Sequence, residues 1–155
     1  MRRFAAVLLI LAACSNVTTP TAPQKAASGE DFEIENTLFA TYNVISGPAG
    51  RRDWDRFKEL FAPGARLISV RDGKTEVMTP EEFQAKSKPY FDEHGFFERP
   101  TSNKIERYKD VAHVYSVYES RHASNDAEPF TRGVNSFQLV KLNGRWMVQT
   151  ILWEE

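Results

Sequence analysis

The sequence predicts an α+β fold, with three N-terminal helices packed on one face of a strongly curved, mostly antiparallel sheet. Three observations predict it. Apolar residues between Asp31 and Phe61 recur at helical spacing. Beyond Phe96 the chain breaks into strand-like runs separated by turn dipeptides. The last two runs flank Asn143-Gly144, the strongest short-range hairpin signal, because both central residues of a type I′ turn need positive φ. A run of helices followed by a run of strands places the helices to one side of the sheet rather than between its strands.

The elements follow in order. Phe32, Leu38, Phe39, Tyr42, Val44 and Ile45 mark an amphipathic helix over Asp31 to Ser46, ended by Gly47-Pro48-Ala49-Gly50. Trp54, Phe57, Leu60 and Phe61 mark a second, shorter helix over Asp53 to Phe61, closed by Pro63-Gly64. Ala65 to Val70 reads as a strand, and Asp72-Gly73 as a turn. Thr79-Pro80-Glu81-Glu82 is a helix start with Thr79 as N-cap, Pro80 at N1 and Glu82 completing a capping box; that helix runs to about Asp92. Phe96 to Tyr108 and Val111 to His122 read as strands joined at Lys109-Asp110. Phe130 to Leu142 and Arg145 to Glu154 form the last hairpin.

The 155 residues allow one domain. Hydrophobic residues make up 41% and charged residues 26%, ordinary for a globular fold. Eleven Phe, five Tyr and three Trp supply bulk for a core and for an aromatic-walled cavity. A formal charge of −1 gives no electrostatic reason to expect nucleic acid, which needs a clustered basic surface. The three histidines, His94, His113 and His122, have no i, i+4 pairing, so the usual zinc motifs are absent and neither metal nor cofactor is implied.

The N-terminus carries the most specific signal. Met1-Arg2-Arg3 is a short cationic start, and Phe4 to Ala13 is an unbroken apolar run. It is too short for a permanent span, which needs about 20 residues, and it fits the apolar region of a secretory signal. The run ends in Leu11-Ala12-Ala13-Cys14, which resembles the bacterial lipobox. An ordinary signal peptide would leave Cys14 incidental; its place behind small residues, and its being the sole cysteine, favour the lipobox. The resemblance implies a signal peptide over 1–13 and lipidation at Cys14, with acyl chains enough for stable membrane anchoring. Residues 14–29, rich in Thr, Ser, Ala and Pro, read as a flexible tether, and 30–155 as the folded domain. Ser15 stands where an Asp would suggest inner-membrane retention, so the expected place in a Gram-negative cell is the outer membrane, facing the periplasm.

The ordered set of segments resembles the NTF2-like, or SnoaL-like, family. Tyr42 lies late in the first helix. Asp53-Trp54-Asp55-Arg56-Phe57-Lys58-Glu59-Leu60-Phe61-Ala62-Pro63-Gly64-Ala65 looks like the family's short helix, turn and strand. Thr79-Pro80-Glu81-Glu82-Phe83 resembles the start of its third helix, and Gly144-Arg145-Trp146 its closing strand. The resemblance covers about residues 31 to 155 and implies a cone-shaped cavity between sheet and helices. It also implies a homodimer through the open sheet face.

A two-residue loop at Asn143-Gly144 places Asn135, Phe137, Leu139, Trp146, Val148, Thr150 and Leu152 on one face of the hairpin. This face carries the larger apolar groups and is expected to look toward the helices. Val134, Ser136, Gln138, Val140, Met147, Gln149, Ile151 and Trp153 fall on the other face, and a slip of one residue would exchange the two.

Among enzymes of this family, ketosteroid isomerase needs a carboxylate base together with a Tyr and a protonated Asp that stabilise an oxyanion. By order of elements, the resemblance puts Tyr42 at the tyrosine, Asn135 at the oxyanion Asp and Ser69 at the base. Asn135 still donates a hydrogen bond, but Ser69 cannot abstract a carbon-bound proton unaided, so isomerase chemistry is not supported. The family's polyketide cyclases and scytalone dehydratase use other Asp, His and Tyr arrangements, for which His94, His113, Tyr115, Tyr118, Glu119, His122 and Arg132 are candidates. By position relative to the isomerase, Tyr115, Val117 and Glu119 would face the cavity. Glu119 there would be an acid or base if burial raised its pKa, or else the ion-pair partner of Arg132 on the neighbouring strand, and this structural pairing is favoured. Trp54 and Trp153 are wall candidates, although aromatics at such spacing are more often plain core.

Two functions follow as expectations. One is a tethered protein whose cavity binds a small apolar ligand or a partner without converting it. The other is a SnoaL-like enzyme performing isomerase, cyclase or dehydratase proton transfer. The first is favoured, because no inward carboxylate–His pair can be named.

Overall fold

The computed structural model describes residues 29–154. The expected signal peptide, Cys14 and nearly all of the tether lie outside the described residues. Gly29, expected to end the tether, instead opens the first helix, α1 (Gly29–Ile45). Its buried stripe is Ile34, Leu38, Thr41, Tyr42 and Ile45, which is i, i+4, i+7, i+8, i+11 spacing, with Val44 beside it. Phe32 and Phe39, expected on that stripe, lie off it and are 62% and 64% exposed. Glu30 ties the start of α1 to the far end of the chain, receiving Lys141 Nζ at 2.7 Å and Trp146 Nε1 at 2.9 Å.

The loop after α1 is held by a group the sequence does not advertise. The Arg52 guanidinium donates to the carbonyls of Ile45, Pro48, Gly50 and Gly47, at 2.8 to 3.0 Å, and lies over the Phe91 ring. Helix α2 (Trp54–Glu59) is capped by Asp53, which accepts from the Arg56 amide at 3.0 Å. It stops before the expected Phe61, and Pro63-Gly64 does not close it. Phe61 begins strand β1 (Phe61–Arg71), which runs on through Pro63-Gly64. The cause is the sheet: β1 pairs in parallel with the last strand, and its register shifts between Phe61 and Arg66 to absorb the Pro-Gly pair. Strand β2 (Lys74–Met78) follows, with no counterpart in the expectations. The turn before it is the expected Asp72-Gly73, both residues at positive φ, which makes β1 and β2 a tight hairpin.

Helix α3 (Pro80–Glu93) starts as expected, with both capping-box hydrogen bonds made: the Glu82 amide to Thr79 Oγ1 at 3.2 Å, and the Thr79 amide to Glu82 Oε2 at 2.8 Å. Four strands complete the chain: β3 (Phe97–Tyr108), β4 (Val111–Arg121), β5 (Thr131–Leu142) and β6 (Arg145–Glu154). The sheet order is β2-β1-β6-β5-β4-β3, antiparallel throughout except between β1 and β6. It is curved and unclosed, as predicted, with α1 lying against β3 and β6, and α3 against β1 and β2.

The core fills the concave side. Phe57, Phe137, Ile34, Leu38, Val114 and Val148 are fully buried. Phe57 packs against Phe61 (ring centroids 4.8 Å) and Phe83 (5.5 Å), joining α2, β1 and α3 in one aromatic cluster. Thr79 Oγ1 accepts one of the two capping-box hydrogen bonds at the α3 start, and Thr79 is not among the core residues. Thr79→Ala should lower the unfolding free energy by about 1 kcal/mol, read as a shift in urea midpoint with unchanged slope.

Candidate functional site

A backbone bridge and a serine hydroxyl set the inner end of the cavity. Gly47 and Phe96 exchange hydrogen bonds at 2.7 and 2.9 Å, pinning the C-terminal end of α1 to the entry of β3. Ser46 Oγ then accepts from the Glu98 amide (2.9 Å), and its one proton lies within reach of the Tyr42 carbonyl (2.7 Å) and the Glu98 carbonyl (3.1 Å). The side chains of Tyr42 and Glu98 are thereby brought to the same place from different elements.

The third contributor is the terminal hairpin, where the expected faces need correction. The turn lies at Asn143-Gly144 and the register holds to Leu139 opposite Val148. Gln138 then pairs with Thr150, so Gln149 is an extra residue, a β-bulge. Beyond it every side chain of β6 changes face. Ile151 and Trp153 look inward beside Phe137 and Asn135, while Leu152, expected inward, is 41% exposed.

The result is a cavity of about 830 Å³ between the sheet, α1 and α3. Phe57, Leu67, Met78, Phe83, Phe91 and Phe137 supply apolar wall, and the β1–β2 turn region and Lys86 supply a charged rim. The inner end is polar. Tyr42 Oη and Ser116 Oγ are 2.7 Å apart, and Asn135 Nδ2 donates to Tyr42 Oη at 3.0 Å and to Glu98 Oε1 at 3.4 Å. Ser120 Oγ donates to Glu98 Oε2 at 3.0 Å. Among the described residues no buried side-chain polar atom lacks a partner. Burial pushes the Tyr42 phenol up to about 12; the hydrogen bonds with Ser116 and Asn135 pull the other way, and the nearby Glu98 charge adds to the rise. The phenol is therefore neutral at neutral pH.

Of the residues singled out from the sequence, Tyr42, Ser69, Tyr118, Asn135 and Trp153 border this cavity, with Tyr42 and Asn135 in direct contact. Trp54, Tyr115 and Glu119 do not. Trp54 is core, stacked on Phe91 at 6.0 Å and edge-on to Phe57 at 5.4 Å. The expected inward set on β4 is reversed: Ala112, Val114, Ser116, Tyr118 and Ser120 face the helices, and Tyr115 is 47% exposed on the other side. Glu119 lies on that outer side too, and although Arg132 is its cross-strand neighbour, it pairs with Arg121 (2.5 Å) and Arg99 (2.7 Å). These two guanidiniums, Arg121 foremost, hold its carboxyl down to about 2, the opposite of a raised general acid. Arg132 pairs with Glu128 instead.

The histidines are also elsewhere. His94 caps α3 and stacks on Tyr90, His113 contacts Ser136 on the outer face, and His122 stacks on Phe130. Among the described residues no group of three His, Cys, Asp or Glu is placed to hold a metal.

The residue that sequence reasoning missed is Glu98. It stands in a run of charged and polar residues, Glu98-Arg99-Pro100-Thr101-Ser102-Asn103-Lys104, where one inward acid carries no distinguishing signal. Ser116 and Ser120, fully buried, were missed because the opposite face of β4 was expected to look inward. Gly133 faces Tyr118 across the ladder, and a Cβ there would lie 2.7 Å from the phenol oxygen, so the glycine leaves room for that ring at the cavity wall.

This architecture is the NTF2-like fold: a curved, mostly antiparallel sheet with helices closing a cone. Solved structures show the same likeness. A cystatin-like-fold protein of unknown function from Nostoc punctiforme matches over 82% of this chain and 93% of its own, with 16% identity and a TM-score of 0.64. An NTF2-like protein of unknown function from Pseudomonas putida matches over 81% and 85%, with 10% identity and a TM-score of 0.64. A Shewanella frigidimarina protein provisionally called a ketosteroid isomerase matches over 82% and 95%, with 15% identity and a TM-score of 0.54. No family model matches the sequence, and no curated protein is similar to it.

A raised phenol pKa stabilises the fold while the group stays protonated. For Tyr42 that contribution is complete below the unfolded value of about 10 and drains as pH rises through the folded value of about 12. The unfolding midpoint should fall across this window, and Tyr42→Phe should flatten that alkaline limb, read by circular dichroism.

Proposed function

We propose that this chain is a lipid-anchored protein of the bacterial envelope whose cavity holds a small, largely apolar molecule without converting it. The cavity carries the reading. Its volume of about 830 Å³ lies within the range of small-molecule sites, and its aromatic and aliphatic walls converge on a few polar groups that would orient one end of a ligand. Ser69 borders the cavity from β1, and the resemblance to ketosteroid isomerase would put a carboxylate base at its position. The Tyr42 hydroxyl is already engaged by Ser116 and Asn135. Both features favour holding over conversion.

One observation favours the second reading, a SnoaL-like enzyme doing isomerase, cyclase or dehydratase proton transfer. Glu98 brings a carboxylate within hydrogen-bond reach of Asn135, beside Tyr42, which is the acid–donor pairing such chemistry uses. The fold alone does not choose between the two.

The anchor rests on Leu11-Ala12-Ala13-Cys14 behind a cationic start, and the proposed location is the outer membrane facing the periplasm in a Gram-negative cell. No described helix is long and apolar enough to cross a membrane. The outer sheet face presents Val111, Tyr115 and Leu152, 55%, 47% and 41% exposed, and fits a second copy of the chain.

Native mass spectrometry of the full chain, released from detergent, should show a bound small molecule and a dimer. A ligand-free spectrum that stays ligand-free after incubation with cell lipid extract would remove the binding reading. Cys14→Ser should abolish metabolic palmitate labelling and move the protein from the membrane fraction to the soluble one. Unchanged labelling would end the anchor assignment.

A further inference from the structure

Resting on the lipid-anchor reading above, the solvent face of α1 acquires an occupant. We infer that Phe32 and Phe39 dock on the surface of the bilayer that holds Cys14, so that α1 lies against the membrane.

Three observations carry this. First, Phe32 and Phe39 are 62% and 64% exposed, the most exposed phenylalanines among the described residues. At about 100° per residue, Phe32, Asn36, Phe39 and Asn43 share an arc of about 60° opposite the buried stripe, and all four are exposed. Single apolar residues scattered on a surface are ordinary, but two rings on one helical arc form a patch. Second, that arc carries no charge. The acids of α1 lie outside it, and three are tied to cations: Glu30 and Glu33 to Lys141 at 2.7 and 3.5 Å, and Asp31 to Arg107 at 3.4 Å. Glu35, on one flank, can stay among the headgroups while the rings enter the apolar layer. A charged partner would find nothing on this arc to recognise. Third, Gly29 at the start of α1 stands about 15 residues beyond Cys14, and a flexible coil of that length spans about 20 Å on average and at most about 50 Å. The anchor therefore holds this end of α1 beside the lipid at high effective concentration, where a two-ring contact too weak to hold a free protein still forms. A second weak contact of this kind adds to acyl anchoring.

The test places one nitroxide label in the full chain, taken from bacterial membranes and reconstituted in vesicles of phosphatidylethanolamine and phosphatidylcholine. Cys14 is the sole cysteine, and the lipid occupies its thiol, so Asn36→Cys supplies a single labelling site on the arc. Lys104→Cys supplies the control: its side chain is 75% exposed and pairs across the ladder with Tyr115 on the outer sheet face. Relative to position 104, the label at 36 should lose collisions with a water-soluble nickel chelate and gain collisions with oxygen, which concentrates in the acyl layer. Adding Phe32→Gln and Phe39→Gln should return nickel access at 36 to the value at 104, with an unchanged circular dichroism spectrum, because both rings are exposed. Equal nickel access at the two positions, in a chain that the vesicles retain, overturns the docking and leaves the anchor standing. Shielding that survives the double substitution overturns the assignment to the two rings. Loss of both nickel and oxygen collisions marks a protein as the occupant, a second copy included, and overturns the lipid contact as well. A chain that the vesicles do not retain removes anchor and docking together.

Discussion

Gln149 is one residue more than the β5 ladder can match, and the cavity depends on where that surplus is placed. Up to Val148 the strand follows the register set by the Asn143-Gly144 turn. After the bulge its inward side chains are Ile151 and Trp153 instead of Thr150 and Leu152. Two similar shifts act elsewhere, at Pro100/Ser102 in β3 and across Pro63-Gly64 in β1. Each lets a strand bend without losing its neighbours, and together they give the sheet the curvature a cone requires. A straight ladder would put a threonine and a leucine where the structure has an isoleucine and an indole.

Within this frame the polar cluster at the inner end is built by convergence. Tyr42 comes from α1, Glu98 from β3, Ser116 and Ser120 from β4, and Asn135 from β5. The buried polar groups pair with one another, so each member of the set constrains the rest. Such a cluster makes one end of an otherwise apolar space chemically distinct from the other. It thereby provides both the orientation that binding needs and the acid that the catalytic alternative would use.

Signals set by chain neighbours held, whereas the choice of buried face from hydrophobicity or alternation failed on α1 and β4. The capping box at Thr79 and the turns at Asp72-Gly73 and Asn143-Gly144 depend only on neighbours in the chain, and all three stand where they were expected. On α1 the most hydrophobic residues were poor guides: Phe32 and Phe39 face outward, and Thr41 takes a buried position. On β4 a continuous run of alternating aromatic and polar residues left both faces plausible. The inward face turned out to be the one with serines, because their hydroxyls complete the cluster.

By itself the sequence determined the α+β class, the caps and turns that bound most elements, and the inward face of Asn135, because each follows from local backbone chemistry or from alternation counted from a fixed turn; the meeting of Tyr42 with Asn135 was implied by the resemblance alone. Only the tertiary structure decided the fate of Glu98, Glu119 and Trp153. Whether a strand carboxylate points into a cavity or toward two arginines depends on bulges and on partners distant in the chain. A bulge is placed by the packing of the whole sheet, which no window of neighbouring residues contains.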